Sequence, residues 1–172
     1  MMGKKPLIFA LHANARGFGY VVFEAPFSPH DWGTVGAKGD KNSVCLRKLE
    51  KLLDRFSPET LVLEEARSVA NRSDRIARLY KAIVALCQGR SVDVAIYRLG
   101  DIKACFASIG AQSRQEIAEA VARQIPALDH RVPKPRKPWE SESRRMPMFC
   151  AAALALTHYQ LNTTSLCNEF FG

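Results

Sequence analysis

No stretch of this 172-residue chain holds the roughly 20 consecutive apolar residues needed to cross a bilayer, so a membrane-spanning helix is excluded. The start, MMGKKPLIFALHANARG, joins a short basic opening to a short apolar run. It lacks a small-residue cleavage site, so it is read as the approach to a strand and not as a signal peptide. There is no CxxC pair. The cysteines, Cys45, Cys87, Cys105, Cys150 and Cys167, are odd in number and widely spaced, which argues against a disulfide framework and a zinc signature and fits reduced thiols in the cytoplasm. Internal repeats and linkers are also missing, so the expectation is one domain over residues 1–172, with a core at about 7–159 and a tail at 160–172. Acidic groups are few: 17 Asp and Glu stand against 25 Lys and Arg, for a net charge of +8. Such an excess favours polyanionic partners through phosphate contacts and counterion release.

Leu7 to His12 is a nearly continuous apolar run, as expected of a strand covered on both faces. NARG follows as a turn, and Phe18 to Phe23 completes a hairpin. A third strand, short and glycine-rich like an edge, is expected at Asp31 to Gly36. From Val44 to Phe56 leucines recur at helical spacing, and Ser57-Pro58 ends that helix. Leu61 to Leu63 is a buried strand running into Glu64 and Glu65. Ile76 to Leu86 traces a helix closed by Gly89, and Val92 to Tyr97 is a fifth strand. RLGDIKACFASIG reads as a turn and short helix. Ser113 and Glu116 form a capping box for a helix that stops at Pro126. DHRVPKPRKPW is a basic, proline-rich loop, and Pro147 to Tyr159 is helical. The order predicts an α/β fold: a mixed five-stranded sheet, three antiparallel strands and then parallel ones, with helices on both faces.

Four stretches, IFALHANARGFGYVVF, FSPETLVLEEA, IYRLGDIKACFASIGAQSRQEIAEAV and FCAAALALTHY, resemble in sequential order the RuvC-type Holliday-junction resolvases of the ribonuclease-H-like superfamily. The resemblance implies a ribonuclease-H-like fold, a homodimer, branched or structured DNA as partner, and carboxylates from the first strand, the fourth strand and the last helix that hold two hard cations for phosphodiester cleavage. Carried over residue by residue, Glu64 matches the fourth-strand glutamate and is the candidate metal ligand. His12 stands where the first aspartate is expected, and Cys150 stands where the last helix would offer one. Pro147, one turn earlier, cannot ligate, and Glu142 lies just upstream. Glu64, His12, Cys150 and Glu142 are therefore the candidate catalytic set. It is a poor magnesium cage, because imidazole and thiol suit softer metals. Magnesium or manganese is implied only if the protein is an active nuclease.

His12 has three readings: a substituted catalytic position, a ligand with Glu64 and Cys150, or a structural histidine with one hydrogen bond. Cys150, among alanines, is also readable as a small buried thiol. Two basic groups are candidate nucleic-acid contacts. Arg67, Arg72, Arg75 and Arg78 follow Glu64, the last three forming an arc at a helix start. Lys134, Arg136, Lys137, Arg144 and Arg145 surround Trp139 in the loop before the last helix, where cations can grip phosphates and the indole can stack on a base. Three functions follow: a nucleic-acid-binding relative of the resolvases with weak or no nuclease activity, an active metal-dependent endonuclease on branched DNA, or a protein-interaction domain.

Overall fold

A computed structural model describes residues 6–66 and 73–171, with side chains as far as Asn162. Five strands form one sheet: β1 (Ile8–Asn14), β2 (Gly17–Ala25), β3 (Ser28–Gly36), β4 (Thr60–Glu64) and β5 (Asp93–Tyr97), in spatial order β3-β2-β1-β4-β5. The β1–β2 and β2–β3 pairs are antiparallel, and β1–β4 and β4–β5 are parallel. The parallel pairs need crossover helices, which α1 (Lys41–Phe56) and α2 (Asp74–Gly89) supply. They are followed by α3 (Leu99–Ala107), α4 (Arg114–Gln124), a 3-10 turn (Pro126–Arg131) and the long α5 (Met146–Phe171). This is the mixed, doubly covered sheet expected from the sequence.

Strand β1 sits in the middle of the sheet, which is why its sequence is greasy on both faces. Ile8 and Ala10 join Val21, Phe23 and Val62 against α5, while Phe9, Leu11 and Ala13 join Leu61 and Leu63 against α1 and α2. Helix α5 lies between the sheet and helices α3 and α4. Ala151, Ala152, Ala153 and Ala155 are all buried there, and a helix wrapped on all sides has no amphipathic stripe. Small side chains let α5 come close to the sheet. The tightest approach is at Gly19, where a Cβ would lie 2.3 Å from the Met148 nitrogen and 2.4 Å from the Pro147 carbonyl carbon. Gly19 pairs with His12 across the β1–β2 register, so this approach brings α5 over His12. Gly19→Ala is expected to lower stability by about 3 kcal/mol, since backbone must move to admit the methyl. Urea unfolding measures this; a loss below 1 kcal/mol, on the order of a tolerated surface change, would remove the close-approach account.

Several boundaries depart from expectation. Strand β3 begins at Ser28, three residues early, after a tight turn in which Phe27 has φ 63. It is the edge strand foreseen, and its register is bulged near Phe23 and Pro29, as suits an edge. Helix α1 starts at Lys41 because the Asp40 carboxylate caps the Ser43 N–H. It ends in left-handed Ser57. Gly89 is the last helical residue of α2 and not a left-handed cap; the positive φ falls on Ser91. The Ser113–Glu116 capping box forms as expected, and Pro126 opens the 3-10 turn that occupies the start of the basic loop. The backbone of α5 runs through to Phe171, so the segment from residue 160 continues the helix and is not a separate tail. The four described cysteines are free thiols. No described helix is long and apolar enough to cross a membrane.

Candidate functional site

The parallel β1–β4 register pairs Ala10 with Val62; continued by two residues, it puts His12 beside Glu64. Period-two alternation then places both on the α5 face, at the C-terminal ends of neighbouring strands. Both are buried, at 4% and 6% exposure. Cys150 comes from the second turn of α5 and Glu142 from the segment leading into it. The four candidate residues therefore converge on one region.

Between them stands a residue that sequence reasoning missed. Arg114, the first residue of α4, reaches in with three nitrogens to three partners. Its Nη2 donates to His12 Nε2 at 2.9 Å, its Nε donates to Cys150 Sγ at 3.2 Å, and its Nη1 pairs with Glu142 Oε1 at 3.0 Å. A guanidinium only donates, so His12 Nε2 carries no hydrogen and the ring is neutral, with its proton on Nδ1. Burial works against the charge on Arg114. The hydrogen bond to the Cys150 sulfur and the charges of Glu142 and Glu64 outweigh it and hold the pKa above the ordinary arginine value. Burial pushes the Cys150 thiol up. Arg114 pulls it back, and Glu142 and Glu64 add to the rise, so the sulfur keeps its proton at neutral pH. A cation in a helix's first turn opposes the helix dipole, and Arg114 does so while bonding outward from the helix. That placement was the one local signal available in the sequence.

This donor set does not fit a pair of magnesium ions. Hard cations require several anionic oxygens. Here there are two carboxylates, one already paired with a guanidinium, plus a neutral imidazole and a thiol. Among the described residues, no group of three or more histidine, cysteine or acidic side chains is arranged to hold a metal. The neighbour Glu65 pairs with Arg98 at 3.5 Å.

The basic residues divide unevenly. Arg67 and Arg72 lie outside the described residues. Arg75 turns inward: its Nη1 donates to Asn42 Oδ1 at 2.9 Å and its Nη2 to the Asn14 carbonyl at 3.2 Å, tying β1 to α1. Arg78 is exposed, so the two described members of the expected arc differ in orientation. Lys134, Arg136, Lys137, Arg144 and Arg145 are all exposed on the segment before α5. Gln115 of α4 anchors that segment through the Pro133 carbonyl at 2.6 Å. Trp139 is 78% exposed, with Lys137 Nζ 5.4 Å from its ring centre.

No protein-family model and no curated protein sequence matches the chain. Solved structures do. RuvC from Thermus thermophilus in complex with Holliday junction substrate is 17% identical, with TM-score 0.67, over 92% of this chain and 96% of that one. A second Thermus thermophilus RuvC structure is 18% identical, with TM-score 0.67 and the same coverage. At this level of identity the likeness speaks for architecture, and the chain accordingly carries the RuvC-like version of the ribonuclease-H-like fold.

Proposed function

We propose that the protein binds branched or structured DNA without hydrolysing it. One observation carries the second half of this reading. The side chain in the midst of the positions matched to metal ligands is a guanidinium, Arg114, whose hydrogen bonds use His12, Cys150 and Glu142. A fixed organic cation can neutralise carboxylates. It cannot lower the pKa of a coordinated water or bridge attacking and leaving oxygens, as paired metals do. The first half is supported by the fold shared with a junction-bound resolvase, the net charge of +8, and the exposed cations with Trp139 on the segment entering α5. The resemblance also implies a homodimer.

The test compares a labelled four-way junction with a duplex of the same arm sequence at low salt, then adds magnesium or manganese. The junction should bind more tightly than the duplex, with affinity falling as salt rises, two chains per complex, and no nicked product. Absence of binding to either DNA would leave the interaction-domain reading. Nicking that Glu64→Ala abolishes would instead establish an active endonuclease with an altered site.

A further inference from the structure

The β1–β2 turn, the β3–α1 loop, the first half of α1 and the start of α5 surround an open cavity of about 900 Å³. Six cations line it, Arg16, Lys38, Lys41, Arg47, Lys48 and Arg144, and no lining residue is acidic. None of the six forms an ion pair with a described carboxylate. Three of them are held by backbone carbonyls: Lys41 Nζ donates to Ala15 O and Lys48 Nζ to Gly36 O, both at 2.6 Å, and Arg16 Nη1 donates to Glu142 O at 3.3 Å. Carbonyls orient these groups without cancelling their charge. Sites for small organic molecules carry a few polar groups on a mostly apolar lining; here six of the sixteen lining residues are cations. Six like charges around one concavity repel each other and focus a positive potential into it. The arrangement suits a ligand that brings several negative charges at once.

The cavity also joins the site already described. Glu142 holds Arg114 with its carboxylate and Arg16 with its carbonyl, and Asn14, two residues after His12, is part of the cavity wall. Resting on the DNA-binding reading above, we infer that this cavity is a subsite for consecutive backbone phosphates of a nucleic-acid strand that passes the Arg114 centre. Phosphate contacts of this kind fix register and carry no sequence preference.

Lys38 and Arg47 are exposed, so Lys38→Gln with Arg47→Gln is expected to leave the fold intact. Parent and double variant are titrated with a four-way junction across a salt series, and separately with inorganic tripolyphosphate. The variant should bind the junction at least about tenfold more weakly at low salt, and its log affinity against log salt should flatten by about 2, near 0.9 per lost phosphate contact. Its melting temperature should hold or rise as repulsion is relieved. If the parent binds junction and the variant matches it in affinity and slope, the cavity assignment is overturned while the DNA-binding reading stands. A parent that binds no DNA overturns both. Tight tripolyphosphate binding, lost in the variant while junction binding is unchanged, would reassign the cavity to a small polyanion and overturn the strand subsite.

Discussion

Arg114→Ala is expected to destabilise the protein by about 2–3 kcal/mol, among the larger effects for any single polar side chain here. Truncation removes three interactions at once, with His12, Cys150 and Glu142. It also removes one positive charge from the surroundings of Glu64, which is only 6% exposed. Breaking a buried ion pair costs roughly 3–5 kcal/mol; the side chain of Arg114 is 36% exposed, so solvent screening lowers that figure. The decisive comparison is a double-mutant cycle with Glu64→Gln. If Arg114 serves chiefly to balance buried negative charge, the double variant should recover about half or more of the loss, because the amide no longer needs a counter-ion. Urea midpoints for the four proteins give the coupling directly. A neutral Arg114→Ala, or strict additivity with Glu64→Gln, would mean that the guanidinium is incidental.

The second large effect is a gain. His12→Asp, Cys150→Asp and Arg114→Ser together should create a divalent-cation site where the parent has none. The change supplies two carboxylates beside Glu64 and removes the fixed cation from among them. Without metal, the variant should be less stable than the parent, because clustered carboxylates repel and resist ionisation. With magnesium or manganese at about a hundred times the dissociation constant, the variant should gain about 2.7 kcal/mol, and the parent should not change. Thermal melts with and without metal read both outcomes. A folded variant whose melting temperature ignores metal would sink the residue-by-residue match between this site and a metal-dependent one. Since this experiment reads metal binding and not cleavage, it tests the site separately from any DNA substrate.

These two predictions share one physical idea. A carboxylate cluster needs positive charge from somewhere, either from mobile metal ions or from a side chain of the chain itself. A tethered guanidinium meets that need permanently and stabilises the fold, but it brings no activated water.

Much of the fold was legible because secondary structure follows local periodicity. The unbroken apolar run through His12 marks a strand buried on both faces, and β1 is the central strand of the sheet. Leucines at helical spacing mark α1, and Ser113 with Glu116 marks the start of α4. Glu64 stood out because an acid at the end of an apolar strand is conspicuous, and Arg114, which bonds His12, lies near it. Errors gathered at element ends, where one side chain decides: the Asp40 cap lengthens α1, and left-handed Ser91 takes the turn assigned to Gly89.

Hydrophobic spacing and capping residues thus determined, from the sequence by itself, which segments become strands and helices and which acids end a strand. Only the tertiary structure decided what meets what. Arg114 is 102 residues from His12 along the chain, and its helix could have carried it anywhere until α5 closed over Gly19 and α4 packed on α5. Arg75 looked like its exposed neighbour Arg78, yet it turns inward to Asn14 and Asn42. The cations of the large cavity come from three separated segments, each unremarkable where it stands. The reason is one of range: backbone preference and burial act over a few residues, whereas charge acts through space and is placed by packing that no local pattern encodes.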